Sequence, residues 1–250
     1  MFALILHPAP DQEDFVIAEL SDCGVLGITE EPGALRAFFD DAVDAAALRD
    51  RFAEYQPRLE QTETVDWAQA ARDAWPPLCI GERFYLVAPW SDEETPPGRL
   101  RLEIEPGMAC GTGRHPATQL CLEALEKYVT ARCSVLDVGT GSGILAEAAH
   151  LLGAGRVAGC DIDPDAIAFA HPRVGVPLFV GSGDAVQSDS QDIIVANIDS
   201  ATVERLAPEF SRIRKPGSTL ILSGFPQGDL PENVPIRDSL CRDEWVCLIC

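Results

Sequence analysis

Positive charge is scarce in this sequence. Its 250 residues include 19 lysines and arginines against 40 aspartates and glutamates, which gives a formal net charge of −21 at pH 7. Broad nucleic-acid binding and attachment to anionic membranes both depend on basic side chains that neutralise phosphates. We therefore expect no direct nucleic-acid partner and no membrane partner. The acidic balance favours a basic protein partner attracted by long-range electrostatics, or simply an acidic, soluble surface.

Long apolar runs and a zinc-site pattern are also absent. No stretch approaches the roughly 20 apolar residues that cross a bilayer, and residues 1–10 lack the basic segment and cleavage site of a secretory signal. We therefore expect a cytoplasmic protein, in which the nine cysteines are small buried apolar residues. Cys247 and Cys250 form a C-x-x-C pair, but no second ligand pair or nearby histidine completes a metal site, so we expect no metal.

Three regions are distinguishable along the chain. Residues 1–62 predict a small module of order β-α-β-β-α-β, as in ferredoxin-like folds, and contain no catalytic constellation. Residues 63–98 predict a linker with a helix over 65–75 and a strand over 84–88. Residues 99–250 alternate strands and helices, which predicts a doubly wound, mainly parallel α/β sheet that binds ligands at the carboxyl ends of its strands.

The third region yields specific element boundaries from its apolar runs and turn residues. The predicted strands are 100–104, 134–138, 156–161, 177–180, 192–196, 218–223 and 244–249. The predicted helices are 116–130, 142–152, 164–170 and 199–213.

A glycine turn between two apolar runs is the most informative feature of the chain. An apolar run containing Asp137 leads into the pattern G-x-G-x-G, formed by Gly139, Gly141 and Gly143. Glycines let the backbone approach a ligand closely and expose amide N–H groups at a helix start, so we assign all three to cofactor binding. Asp161 ends the next apolar run, where an acid can accept hydrogen bonds from both ribose hydroxyls.

The spacing distinguishes between nucleotides. Dinucleotide sites use G-x-G-x-x-G and place a pyrophosphate at the helix start, whereas here Ile144 occupies the place of the third glycine. The negative charge of Asp137 just before the turn suits a cationic ligand better than a pyrophosphate. The motif resembles that of class I S-adenosylmethionine (AdoMet) methyltransferases, whose fold is Rossmann-like. An NAD site and an ordinary tight turn are the alternatives.

A second glycine-rich loop lies just ahead of this unit. Residues 105–115 lead into a helix that carries Thr118 in its first turn. This position would let the loop fold over a bound cofactor. The alternative is a structural loop in which His115 caps the helix or fills a gap.

The loop resembles the G-M-x-F-G-T-G-x-H-x-T-T stretch of ribosomal protein L11 methyltransferases. Those enzymes combine an N-terminal ferredoxin-like domain, a linker helix and a C-terminal class I methyltransferase domain. The similarity covers nearly the whole chain: Val65-Asp66-Trp67, Ala88-Pro89-Trp90, the 105–122 loop, V-L-D-V-G-T-G-S-G-I-L, G-C-D-I-D-P, and the 192–198 run that ends in A-N-I.

The resemblance implies a cofactor, a partner and a set of site residues. It implies AdoMet, bound by Thr118, Gly139, Asp161 and Asn197, and ribosomal protein L11, which is small and basic, as the substrate. Asp184, shortly after the third strand of the nucleotide unit, is a candidate acceptor for the adenine amine and equally a solvated loop acid.

Asn197 lies at the exit of the fourth strand, where this fold places substrate chemistry. Methyltransferases of amide and base nitrogens carry N-P-P-Y there, whereas this chain has Asn-Ile-Asp-Ser. The absence of a proline pair and an aromatic platform favours a tetrahedral amine acceptor, a lysine ε-amine or an α-amine. We predict that Asn197 is catalytic, its side-chain oxygen orienting the amine while water takes the proton; the alternative is a strand-end turn.

The chain also departs from the family pattern. Cys110 replaces the usual Phe, Ala117 replaces the first Thr of a pair, and His171-Pro172 cuts a helix short. These departures leave two alternatives: a lysine methyltransferase with another protein target, and a non-catalytic AdoMet-binding regulatory or scaffolding protein. No heptad or apolar patch in the sequence indicates an oligomeric state.

Overall fold

A computed structural model of the chain describes residues 1–9, 12–21, 23–31, 33–62, 75–105, 112–232 and 234–250. The chain divides into two compact units, Met1–Ala74 and Trp75–Cys250. Most of the predicted linker helix and the centre of the 105–115 loop, including Cys110, lie outside the described residues. None of the described helices combines the length and apolar character needed to cross a membrane.

The N-terminal unit is an antiparallel sheet with two helices. Its elements are β1 (Phe2–Leu6), α1 (Glu13–Ser21), β2 (Gly27–Glu31), β3 (Ala34–Phe39), α2 (Ala45–Arg51) and β4 (Arg58–Gln61). The strand order is β2-β3-β1-β4, with every neighbouring pair antiparallel. Alternate residues Phe2, Leu4 and Leu6 join one buried cluster with Val16 and Leu20 of α1, as the two-residue period of a strand requires.

The C-terminal unit begins with a small three-stranded sheet. Its strands are β5 (Leu78–Ile80), β6 (Phe84–Val87) and β7 (Leu100–Glu103). β6 pairs with β7 in parallel, with Phe84 opposite Leu100. This pairing crosses the boundary predicted at residue 98, so residues 75–98 belong to the C-terminal unit. The strand predicted at 100–104 therefore lies in this small sheet, outside the main one.

The main sheet confirms the doubly wound α/β prediction. Its strands are β8 (Ser134–Val138), β9 (Arg156–Asp161), β10 (Leu178–Val180), β11 (Gln191–Asn197), β12 (Arg214–Pro226), β13 (Asp238–Arg242) and β14 (Trp245–Ile249). The helices are α3 (Pro116–Tyr128), α4 (Ile144–Leu151), α5 (Pro164–Ala170) and α6 (Ser200–Ile213). The strand order is β10-β9-β8-β11-β12-β14-β13. The first five strands run parallel, and β14 and β13 run antiparallel to their neighbours.

Both faces of the central strands are buried. Val135 and Val195 pack in one cluster with residues of α3 and α4, whereas Leu136 and Ile194 pack in a second cluster with residues of α6. Burial on both faces explains why these strands read as continuous apolar runs. The strand order reverses between β8 and β11, and the carboxyl ends there form the crevice in which such sheets bind ligands.

An ion pair joins strands at the opposite, amino-terminal edge of the sheet. Lys215 Nζ lies 2.7 Å from Asp192 Oδ2, which also accepts hydrogen bonds from the Ser134 N–H at 2.8 Å and the Ser134 hydroxyl at 2.7 Å. The hydrogen bond from Lys215, followed by those from Ser134, lowers the pKa of Asp192 to about 2 despite partial burial. The carboxylate thus links β8, β11 and β12 in its ionised form.

We predict that Lys215→Met lowers the free energy of unfolding at pH 7 by about 1 kcal/mol, a value discounted for the partial exposure of the pair. Because the folded-state pKa of Asp192 is depressed, its stabilising contribution is complete above the unfolded value of about 3.9 and is lost as the pH falls toward 2. Urea denaturation should therefore show a constant difference from wild type between pH 5 and 7 that shrinks below pH 4.

Lys127→Met is the matched control, because Lys127 forms a more exposed pair with Asp238. It should change the stability less than Lys215→Met does. An equal effect of the two substitutions, or a Lys215→Met effect that persists unchanged at pH 3, would contradict this account of the pair.

Candidate active site

A cavity of about 370 Å³ opens at the carboxyl ends of the parallel strands, at the reversal of strand order. This volume falls in the range of small-molecule and cofactor sites. Five predicted site residues line the cavity: Thr118, Gly139, Gly141, Asp161 and Asn197. The other two, Gly143 and Asp184, are not among its lining residues.

The glycine turn follows β8, which lies between β9 and β11, and forms the bottom of the cavity. Gly139 has a φ of +73°, and a Cβ added to it would lie 2.7 Å from Cγ2 of Ile198 at the exit of β11. A side chain at this position would be both strained and obstructed, so the turn can approach β11 only with glycine. Gly143 adopts φ +82° as the N-cap of α4, and a Cβ there would meet Val174. Its role is therefore to pack the turn against the segment after α5.

Asp161 is held in a fixed orientation beside the turn. Its Oδ2 accepts a hydrogen bond from the Gly141 N–H at 2.9 Å, and its Oδ1 accepts one from the Asp163 N–H at 3.0 Å. The next residue, Ile162, also lines the cavity and is 76% exposed, which is unusual for a large apolar side chain. A flat apolar group such as a purine base would cover it. Ile162 was not predicted as a site residue, although it directly follows Asp161 in the sequence.

Asp137 is a fully buried carboxyl beneath the turn. Its Oδ2 accepts hydrogen bonds from the Thr140 hydroxyl at 2.6 Å and the Ala146 N–H at 3.1 Å. Its Oδ1 has no hydrogen-bond partner among the described residues. Burial raises the pKa of Asp137 to about 7, against the opposing effect of these hydrogen bonds. The carboxyl is thus balanced between its two protonation states near neutral pH, and a cation close by would favour the ionised one.

Asn197 and Thr118 meet across the cavity. The Asn197 side-chain N–H₂ donates to the Thr118 hydroxyl at 3.0 Å, and Thr118 is 1% exposed in the first turn of α3. β12 supports the strand exit, since the Ile198 N–H donates to the Ser223 carbonyl at 2.8 Å. A Cβ on Gly224 would lie 2.5 Å from the Ile198 carbonyl oxygen. The Asn197 amide is therefore fixed by α3 and by the backbone of β12.

His115 has a structural position next to the site. Its Nδ1 accepts the Ala117 N–H at 3.3 Å and caps α3, and its ring packs edge-on against Trp245 with centroids 4.3 Å apart. These contacts confirm the capping alternative for His115.

Helix α6 forms one wall of the cavity, and this wall was not predicted from the sequence. Asp199, Thr202, Arg205 and Leu206 line it from the first turns of the helix. Asp199 caps α6 through a hydrogen bond from the Thr202 N–H to Oδ1 at 2.9 Å. Nothing in the local sequence indicates this wall, because it depends on how α6 packs over the sheet.

Asp184 lies in the short 3-10 helix Gly183–Ala185 after β10. Arg212 of α6 fixes this turn by donating to the carbonyls of Gly183 at 2.7 Å and Val186 at 2.8 Å. Gly181 and Ser182, directly before the turn, line the cavity instead. The position supports the solvated-acid alternative for Asp184. In the described part of the chain, no three acidic, His or Cys side chains are grouped to hold a metal ion.

Comparisons with known proteins agree with this geometry. The family model described as "Ribosomal protein L11 methyltransferase (PrmA)" matches residues 22–249. The ribosomal protein L11 methyltransferase of Dechloromonas aromatica (strain RCB) is 42% identical over 202 residues, covering 76% of this chain and 67% of that protein. The protein of the same name from Geobacter metallireducens is 38% identical over 234 residues, covering 89% and 77%.

A solved structure supports the same assignment. The crystal structure of ribosomal protein L11 methylase from Lactobacillus delbrueckii subsp. bulgaricus is 28% identical, with a TM-score of 0.61. The similarity covers 69% of this chain and 96% of that chain. The chain therefore belongs to the ribosomal protein L11 methyltransferase family, and it is a class I, AdoMet-dependent methyltransferase.

Proposed function

We propose that this enzyme transfers methyl groups from AdoMet to amino groups, lysine ε-amines or an α-amine, of ribosomal protein L11. The observation that carries the proposal is the single cavity that joins the glycine turn, Asp161 and Asn197. The names of the relatives support L11 as the substrate. The net charge of −21 supports a small basic protein as the partner, with no direct nucleic-acid or membrane contact. The lack of a membrane-length apolar run in the sequence supports a cytoplasmic location.

The residues of the cavity fit AdoMet. Asp161, oriented by two backbone N–H groups, would accept hydrogen bonds from the ribose hydroxyls. Ile162 would cover one face of the adenine. The Oδ1 of Asp137, which has no partner among the described residues, favours a positive charge near the glycine turn, as on the amino-acid tail of AdoMet. When bound, AdoMet supplies a methyl group that its sulfonium already activates.

The protein's task is to position a neutral amine in line with that methyl group. A free lysine has a pKa of about 10.4, so its nitrogen is mostly protonated at neutral pH. Removal from water lowers this pKa. Because the Asn197 amide nitrogen is engaged by Thr118, its carbonyl oxygen is the atom left to accept an N–H of the amine. Water then takes the proton that the amine loses.

We also infer that residues 1–62 are a ferredoxin-like substrate-recognition domain, followed by a linker over 63–98 and the methyltransferase domain over 99–250. The strand order β2-β3-β1-β4, with antiparallel neighbours, supports the first assignment. In this order each helix connects two strands that run in the same direction and have one other strand between them, as in ferredoxin-like folds. Strands β5 and β6, in the second half of this linker, pair in one sheet with β7 of the methyltransferase domain.

One observation bears on the non-catalytic alternative. Helix α5 has seven residues and ends at Ala170, before His171 and Pro172, as predicted. The helix is short, but Gly139, Asp161 and Asn197 still meet in one cavity. The site geometry therefore favours an active enzyme.

The experiment that tests the proposed function is methyl transfer from tritiated AdoMet to purified L11 and to whole lysate. We expect label on L11, at lysine or α-amino nitrogens identified by mass spectrometry. Label on a different protein alone would replace L11 as the substrate. AdoMet binding with no transfer to any protein would favour the non-catalytic alternative.

Asn197→Ala should lower kcat on L11 by about 100-fold, an effect typical of the loss of one preorganised hydrogen bond to the reacting group. Steady-state kinetics at saturating AdoMet would measure this, and Gln187→Ala, at an exposed amide outside the cavity, is the control. Full turnover by Asn197→Ala with AdoMet bound would remove Asn197 from the catalytic role.

Because Asp137 is close to half-protonated at neutral pH, we predict that the affinity for AdoMet depends on pH. Because its pKa is raised to about 7, most of the apo enzyme carries a protonated Asp137 at pH 6 and an ionised one at pH 8. A cationic ligand favours the ionised form, so AdoMet should bind up to about tenfold more tightly at pH 8 than at pH 6.

Calorimetry in two buffers of different ionisation enthalpy would measure the linked proton. Wild type should release protons on binding AdoMet at pH 6.5, and Asp137→Asn should release markedly fewer. Equal release by the two proteins would show that the proton comes from another group.

A further inference from the structure

Among the residues that the structure describes, two carboxylates line the cavity: Asp161 and Asp199. They lie on different walls. Asp161 belongs to the end of β9 and has both oxygens engaged by backbone N–H groups. Asp199 follows β11, two residues beyond Asn197, and caps the helix that forms the α6 wall. The cavity therefore has one anion on the cofactor wall and a second beside the predicted catalytic amide.

The carboxylate of Asp199 keeps its negative charge. The hydrogen bond from the Thr202 N–H at the start of α6 lowers the pKa of Asp199 below its usual value. The Thr202 side chain adds a second hydrogen bond to the carboxylate, which together with the N–H contact to Oδ1 holds Asp199 as the helix cap. A carboxylate has about four acceptor sites, so these contacts leave capacity for a ligand. Asp199 is also exposed, so a molecule entering the cavity can reach it.

A cation on the same wall does not neutralise Asp199 by direct contact. Arg205 also lines the cavity, and its guanidinium donates to the Thr202 hydroxyl at 3.2 Å. Asp199 is absent from the ion pairs within 4.0 Å that the described residues form. The charge of Arg205 contributes to lowering the pKa of Asp199, but without an ion pair between them the exposed carboxylate stays accessible to a ligand.

An acceptor amine arrives as an ammonium ion and loses water contacts as it enters. Moving a charge out of water is costly unless an opposite charge meets it. We propose that Asp199 captures the ammonium form of the acceptor at the α6 wall and so selects cationic amines over neutral amides. This inference rests on the proposed function, amine methylation, and adds the residue that recognises the charge of the acceptor.

Binding of the ammonium ion and transfer of the methyl group require different side chains next to the acceptor nitrogen. A carboxylate beside an amine raises the pKa of the amine and opposes the loss of its proton. The nitrogen must therefore leave Asp199 before it reacts, and uncharged Asn197, two residues away, orients it after deprotonation. Asp199 is thus a specificity residue that acts on binding, and its removal should change KM rather than kcat.

The variant Asp199→Asn isolates the charge, because asparagine is as good an N-cap as aspartate. We expect KM for L11 to rise about tenfold, the size of one hydrogen bond to a charged group, with kcat within about twofold and AdoMet affinity unchanged. The rise of KM with added salt should be steeper for wild type than for the variant, since the variant lacks the charge that salt screens.

Glu204→Gln is the matched control on the same helix. It removes one negative charge outside the cavity and keeps an oxygen to accept the Glu232 N–H, which Glu204 binds at 2.7 Å. Its KM should equal that of wild type. Asp199→Ser, which also retains a capping oxygen, provides a second variant if Asp199→Asn unfolds, and thermal unfolding midpoints would verify the fold of each.

The outcomes separate the two levels of the proposal. An equal rise of KM in Asp199→Asn and Glu204→Gln would show general attraction by the acidic surface and overturn the assignment. A fall in kcat or in AdoMet affinity with KM unchanged would place Asp199 in the transfer or cofactor machinery, again overturning it. If wild type methylates no amine at all, the proposed function fails first, and the capture role fails with it.

Discussion

The site depends on how closely the glycine turn after β8 approaches its neighbours. A Cβ on Gly139 would lie 2.7 Å from Ile198, and a Cβ on Gly159 of β9 would lie 2.6 Å from the Thr140 hydroxyl. The Gly141 N–H completes the contact by donating to Asp161. Because the turn packs between β9 and β11, Asp161 and Asn197 face one cavity.

Three carboxyl groups in or near this cavity differ in their burial and hydrogen bonding. Asp137 is buried, its Oδ1 has no hydrogen-bond partner in the part of the chain that the structure describes, and burial raises its pKa to about 7. Asp161 is fixed by two backbone N–H groups, whereas Asp199 caps a helix and keeps its charge. A cationic cofactor and an acceptor that arrives as a cation suit such an arrangement. The net charge of −21 likewise favours binding of a basic protein at the surface.

Much of the fold follows from the sequence because its signals are local. The buried central strands appear as apolar runs, and the predicted helices 164–170 and 199–213 differ from α5 and α6 by at most one residue. Strand β13, with the sequence DSLCR, was missed because it lacks an apolar run and is defined by its pairing with β14. The β6–β7 pairing was not predicted, because it joins segments that lie on either side of the predicted boundary at residue 98 and are separate in sequence.

The site was predictable where a motif carries the chemistry. Thr118, Gly139, Gly141, Asp161 and Asn197 come together as expected. The α6 wall was not predictable, because the face that a helix turns toward a cavity is set by packing. Gly143 and Asp184 lie outside the lining for different reasons. A Cβ on Gly143 would meet Val174, whereas Asp184 is exposed in a turn whose neighbouring carbonyls bind Arg212 of α6.

The most direct test of the account is calorimetric titration of the purified chain with AdoMet and, separately, with NAD. The account predicts saturable binding of AdoMet, no binding of NAD, and an affinity for AdoMet about 100-fold weaker in Asp161→Ala, the combined effect of two hydrogen bonds to a charged group. Saturation by NAD with no heat from AdoMet would contradict the central claim, as would an Asp161→Ala variant that binds AdoMet as tightly as wild type.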